Sequence, residues 1–236
     1  MAFFIYMKKF RTLKYGHRGA KGHVAENTIE SISKALTLGV DGIEIDVHKC
    51  KSGELVVFHD FTLDRLTNGT GEISNFTLTE LKKLAVLNHF QIPTLIEVLN
   101  FISAKCFLNI ELKGKNTAKE LVEIIEYQTK NNLWKYSSFI VSSFQHQELL
   151  TVFKLNKSIP LGVLTEANLE DAMCFAKKIK AKAIHPKFSL LSESNVRLAK
   201  KEGFIINTWT VNTPQAIERM KRYKVNAIIS DYPDRI

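Results

Sequence analysis

Cysteine is scarce in these 236 residues: Cys50, Cys106 and Cys174 lie far apart, and no C-x-x-C spacing occurs. That excludes a disulfide framework and a cysteine-based zinc site, and it suits reduced thiols in a cytoplasmic setting. No apolar run approaches the ~20 residues that span a bilayer. The opening MAFFIYMKKFRT is apolar, but its charges follow the patch, the wrong order for a secretory signal. It reads as an extension leading into the first strand. A weak membrane-surface contact is the sharper alternative, and a stable anchor is not expected. No G-x-S-x-G elbow surrounds Ser142 and Ser143, so a serine nucleophile is not indicated. The aromatic-and-basic strand pattern of RNA-binding domains is also missing. The net charge of +9 is scattered over helical stretches such as AKKIKAK and ERMKRYK. These read as solvated faces that help attract a small anionic substrate, not as a nucleic-acid surface.

What the chain does have is rhythm. Short β-rich runs (LKYGH, GIEIDVH, CFLNIELK, FIVSSF, LGVLTE, AIHPKF, IINTWTV, AIISDY) alternate with helical patterns of three- and four-residue apolar spacing. Eight strand–helix units imply parallel strands with crossover helices and a (β/α)8 TIM barrel, expected as a single domain over 1–236. A doubly wound open sheet is the alternative. One place breaks the alternation. After GIEIDVHKC, only KSG precedes a second strand-like run, ELVVFHD, which leaves room for an antiparallel hairpin alone. Residues 60–93 then form an insertion of turns and a small helix, a lid or specificity element on one reading and a structural flap on the other.

Residues two apart in a strand share a face. In GIEIDVH, Glu44 and Asp46 therefore oppose Ile43, Ile45 and Val47; in NIELKG, Asn109, Glu111 and Lys113 oppose Ile110 and Leu112. The apolar set must meet the outer helices, so the charged set points into the barrel near the carboxyl ends of its strands. Three inward carboxylates need a partner. A divalent cation is the economical one, Mg²⁺ or Ca²⁺ suiting an oxygen-only set; a buried ion-pair network with Arg18 and Lys113 is the other. His17 ends the first strand on the inward face, and His59 ends the returning hairpin, so two imidazoles converge as a general acid and base. Arg18 offers a guanidinium fork for phosphate oxygens. Trp209 is either a core aromatic or a flat wall for a ligand, and Asp231 and Tyr232 lie near the mouth. His23 has no evident partner, His48 falls on the carboxylate face or in the loop beyond, and His89, His146 and His185 read as surface or core polar groups. The glycines of HRGAKG would let the backbone approach a ligand, and Asn27 or Thr28 would cap the first helix.

The series HRG…ENT…EIDV…VVFHD, continued by TLTELKKL, IPTLIEVL, LNIELKG, NTWTVN and SDYP, resembles the glycerophosphodiester phosphodiesterase family over nearly the whole chain. The resemblance implies a TIM barrel that hydrolyses glycerophosphodiesters to an alcohol and sn-glycerol 3-phosphate with a divalent metal. It implies His17 and His59 as the acid–base pair and Glu44, Asp46 and Glu111 as metal ligands. It further implies that Arg18 and Lys113 bind the phosphoryl group and that Trp209 borders the substrate. Ala25 stands where the family usually has proline before ENT. Lysophospholipase D or sphingomyelinase-like activity on the same fold is the alternative, with a non-catalytic phospho-ligand-binding barrel behind it.

Overall fold

The computed structural model describes residues 10–236; most of the N-terminal apolar patch lies outside them. Strand β1 (Leu13–His17) leads to helix α1 (Ile29–Thr37), then β2 (Gly42–Lys49) and β3 (Leu55–Val57). Short helix α2 (Leu78–Leu81) and α3 (Leu95–Ile102) precede β4 (Phe107–Leu112). Regular alternation follows: α4 (Ala118–Lys130), β5 (Phe139–Ser143), α5 (His146–Leu155), β6 (Leu161–Thr165), α6 (Leu169–Lys178) and β7 (Ala183–Pro186). The last repeats are α7 (Glu193–Lys201), β8 (Ile205–Thr208), α8 (Pro214–Arg222) and β9 (Ala227–Ser230).

Eight of these strands are parallel and close on themselves, because β1 pairs with both β9 and β2. The ninth, β3, pairs antiparallel with the end of β2, His48 opposite Val56, as the short KSG connection requires. The closed parallel barrel with outer helices replaces the open-sheet alternative.

Alternation of side chains along each strand builds two cores. Ile43, Ile45, Val47, Ile110 and Leu112 are buried under the helices, where each contributes roughly 1.5–3 kcal/mol. Helix α1 meets them with Ile32 and Ala35, and begins at Thr28, whose Oγ1 accepts from the Ser31 N–H. Residues 60–93 make a separate small cluster, with Leu63, Leu66, Ile73, Leu81, Val86 and Ile92 packed against Val56 and Phe58.

Inside the barrel, His185 on β7 is fully buried beside Asn207, whose Nδ2 lies 3.1 Å from its Nε2. Gly162 on β6 makes room, since a Cβ there would stand 2.6 Å from that nitrogen. Burial drops the imidazole to about 3, from 6.5. The unfolded chain therefore takes up a proton near pH 6.5 that the folded chain refuses until about pH 3. Stability is complete above 6.5 and falls as pH drops, by about 2 kcal/mol at pH 5. Replacing His185 with Leu should flatten this part of the stability–pH curve, measured by urea unfolding between pH 5 and 7. Parallel curves for the two proteins would refute the assignment.

Candidate functional site

Seven of the eight residues singled out in the sequence line one cavity of about 230 Å³ at the carboxyl ends of the strands: His17, Arg18, Glu44, His59, Glu111, Lys113 and Trp209. The eighth, Asp46, is buried beneath it. One carboxylate oxygen from each of Glu44, Asp46 and Glu111 lies within 4.8 Å of the others.

The turn after β1 is tightly held. Arg18 takes a positive φ of 50°, which costs energy for any residue with a Cβ, so its neighbours must over-determine it. Its N–H donates to Glu44 Oε2 at 3.0 Å, and its carbonyl accepts from the Asn27 N–H and the Ser31 hydroxyl. The guanidinium Nη1 donates to Glu26 at 2.6 Å, and Nε lies 3.2 Å from Asp46. Asn27, also at positive φ, does not cap α1; its amide donates to Asp46 Oδ2 at 2.9 Å. Thr28 alone caps the helix. At Gly19 the nearest neighbour is helix α1. At its φ of +86°, a Cβ would strike Ser31 at 2.4 Å, so this glycine serves the packing of the turn against α1.

Both histidines are oriented by carboxylates. His17 Nδ1 donates to Asp231 Oδ1 at 2.6 Å, and its Nε2 stands 3.9 Å from Glu44. His59 Nδ1 donates to Asp60 Oδ1 at 2.6 Å, while its carbonyl is 3.1 Å from His48 Nε2. Both aspartates are held below the usual carboxylate range, Asp231 by the hydrogen bond from His17 against the effect of burial, Asp60 chiefly by Arg65. As anions they only accept, which puts the proton on Nδ1 and leaves each Nε2 with its lone pair. Burial lowers the imidazoles themselves, so both favour the neutral form.

The carboxylates at the centre do not balance with the cations around them. Lys113 Nζ is 2.9 Å from Glu111 and 3.9 Å from Asp46, so the ion pairs of the network reading are present. Even so, burial and then Asp46 push Glu111 up to about 7, and burial with Asp46 and Glu111 pushes Glu44 well up. Asp46 goes down because Arg18, His59 and Lys113 outweigh its burial. Asn109 Oδ1, on the same cavity wall, is buried without a hydrogen bond among the described residues. Residual repulsion, a hard oxygen-only set and an unused carbonyl oxygen all fit a divalent cation.

Trp209 does both things open to it. Its Nε1 donates to the His185 carbonyl at 2.7 Å, it packs on the Tyr15 and Ile229 cluster, and it still borders the cavity, edge-on to Phe144. His23 sits elsewhere, 2.7 Å from Asp234 and against Tyr232; His146 stacks on Phe175.

Several contributors escaped the sequence reading. Arg65, within the insertion, forks Asp60 through Nε and Nη2 at 2.5 and 2.9 Å. It also reaches Glu26, with Nη2 at 2.8 Å. Burial would raise Glu26, but Arg65 and Arg18 pull it to about 2. One arginine thus ties the carboxylate behind His59 to the carboxylate behind Arg18, although no residue of 60–93 lines the cavity. Loss of this fork is expected to disorient both partners: Arg65→Gln should lower kcat roughly 10- to 100-fold, a cost usual for groups that orient a site's own ligands. Partial rescue of turnover by added guanidinium would support this role, and an unchanged kcat would rule it out.

Residues 17–235 match the Glycerophosphoryl diester phosphodiesterase family. A glycerophosphodiester phosphodiesterase of Caldanaerobacter subterraneus is 37% identical, the match covering 96% of each chain. One from Bacillus subtilis is 32% identical over 95% of this chain and 85% of its own. Among solved structures, an Oleispira antarctica phosphodiesterase in complex with the product sn-glycerol-3-phosphate superposes with a TM-score of 0.86 at 28% identity, covering 94% of both chains. The glycerophosphodiester phosphodiesterase of Thermotoga maritima gives 0.81 at 29% identity over 95% of this chain and 96% of its own. On sequence and architecture together, the chain belongs to the glycerophosphoryl diester phosphodiesterase family, a family of phosphoric diester hydrolases.

Proposed function

We propose that the cavity hydrolyses glycerophosphodiesters to an alcohol and sn-glycerol 3-phosphate by metal-assisted acid–base catalysis. The observation that carries this reading is the pair of carboxylate-oriented imidazoles, both bordering the three-carboxylate cluster with Arg18 and Lys113. In it, one histidine enters neutral and takes the proton of the attacking oxygen on Nε2. The other enters as an imidazolium, protonated from solvent at Nε2 and paired through Nδ1 with its aspartate, and gives that proton to the departing alkoxide. Arg18 and Lys113 bind the phosphoryl oxygens and neutralise charge as the P–O bond breaks. Glu44, Asp46 and Glu111 would hold Mg²⁺ or Ca²⁺, which supplies Lewis-acid polarisation of the phosphoryl group when bound. Trp209 and Phe144 border the carbon skeleton.

A small diester suits a cavity of about 230 Å³ better than a lipid acyl chain. The product bound in the Oleispira antarctica relative agrees with that choice. The test is release of the head-group alcohol, choline or ethanolamine, from glycerophosphocholine, glycerophosphoethanolamine and lysophosphatidylcholine, with Mg²⁺, Ca²⁺ or EDTA, the first two substrates also yielding sn-glycerol 3-phosphate. Turnover of the water-soluble diesters that EDTA abolishes is the expected result. Turnover of lysophosphatidylcholine alone would point to lysophospholipase D activity, and no release under any metal would leave a phospho-ligand-binding barrel.

A further inference from the structure

The end of the barrel opposite the cavity is charged in a way the hydrolytic reaction does not use. Parallel strands place every connection from a helix into the next strand on that floor. The last turns of α1 and of α4 to α8 are all basic, and none of those turns holds an acid. Lysines there answer the negative ends of the helix dipoles, so by themselves they need no partner. The connections beyond the helices add more: Lys105, Lys135, Lys157, Lys182 and Lys224 are exposed and have no carboxylate partner among the described residues. In those turns and connections the acids are Asp41 and Glu202, and each is already paired, with Arg11 at 2.9 Å and Lys177 at 2.6 Å. First turns at the other end carry Glu30, Glu97, Glu120, Glu148, Glu170 and Glu193, with Glu148 buried and Lys119 among them, so the charge there is mixed where that of the floor is basic.

Apolar groups sit within this basic field. Phe10, Phe107 and Ile205 are 48%, 44% and 38% exposed and line one hollow of about 340 Å³ on the floor. The ammonium of Lys200 lies 4.2 Å from the Phe10 ring centroid, so charge and apolar surface are interleaved. A nucleic acid would use the charge but would find three exposed apolar side chains with no role. An anionic bilayer uses both, the lysines meeting headgroups while the apolar side chains enter the interface.

We infer that this floor docks the enzyme peripherally on anionic phospholipid bilayers, with the catalytic mouth turned toward water. Substrate then enters from the aqueous side, and a field of one sign is spent on location, not on catalysis.

The test is co-sedimentation of the full chain with vesicles of phosphatidylcholine alone or with phosphatidylglycerol added. Binding is expected only to the mixed vesicles at low salt, and its loss by 0.5 M NaCl. The variant K105Q/K182Q/K224Q should bind those vesicles on the order of 100-fold more weakly, three surface charges each being worth about 5-fold. Phe10→Ser with Phe107→Ser should weaken binding about 10-fold at the same charge. Thermal unfolding of each variant, compared with wild type, reports intact folding whatever the substrate proves to be. Wild type that ignores anionic vesicles at low salt, or a triple variant that binds them as wild type does, overturns the inference. Capture of an RNA oligonucleotide without vesicle binding, insensitive to the Phe10 and Phe107 changes, overturns it in favour of a polyanion site.

Discussion

Alanine at His17, or at His59, is expected to lower kcat for glycerophosphocholine at least ~100-fold, with KM little changed. Both side chains border the cavity with Nδ1 committed to a carboxylate, so truncation removes a proton carrier without removing a substrate-binding charge. The losses should not multiply. Acid and base serve one turnover, and the double variant is expected to fall little below the poorer single one. Asp231→Asn should reproduce part of the His17 effect, because an amide can present Nδ2 to the ring and favour the wrong tautomer. Steady-state kinetics on the four proteins decides the matter. Near-wild-type turnover by either alanine variant would exclude that histidine from the chemistry.

Glu44→Gln is expected to act in opposite directions on activity and stability. The variant should lose on the order of a thousandfold in kcat/KM, several kcal/mol of transition-state charge stabilisation being what a metal site supplies. Yet with EDTA present it should melt at a higher temperature than wild type. In the chelated wild type, Glu44 is forced upward by burial, Asp46 and Glu111, and a neutral amide relieves that repulsion while its oxygen can still accept from the Arg18 N–H. The sign of the pH dependence follows. A carboxyl raised in the folded state contributes stability below its unfolded value of 4.5, and that contribution is lost as pH rises. The gap between chelated variant and chelated wild type should therefore widen from pH 4.5 upward, and addition of Mg²⁺ or Ca²⁺ should reverse the order. Equal melting temperatures in EDTA would mean that the lysine and arginine already balance the cluster.

The strand phases carried most of this site in the sequence. Once GIEIDVH and NIELKG are strands under helices, their apolar faces must go outward, and Glu44, Asp46 and Glu111 can go only inward. His17 follows from the same alternation, and the hairpin that brings back His59 follows from a connection too short for anything else. What pairs with those residues was not legible. Asp231 lies 214 positions from His17 and Arg65 lies 39 from Glu26, separations at which no periodicity connects two residues. Asn27 looked like a cap because its type suits that role, but a carboxylate 19 positions on claimed its amide. The glycines of HRGAKG were read toward a ligand when, for Gly19, helix α1 was the nearer neighbour.

The hydrogen bond from His17 to Asp231 joins the first strand of the barrel to the residue that follows its last. During synthesis, His17 waits for its partner until a further 214 residues have been made, at roughly 5–20 residues per second. A nascent chain therefore carries the carboxylates, Arg18 and both imidazoles long before His17 has the carboxylate that orients it. The first turnover becomes a reporter of barrel closure. In a refolding experiment, activity should appear with the slowest, longest-range contacts and lag the helical signal.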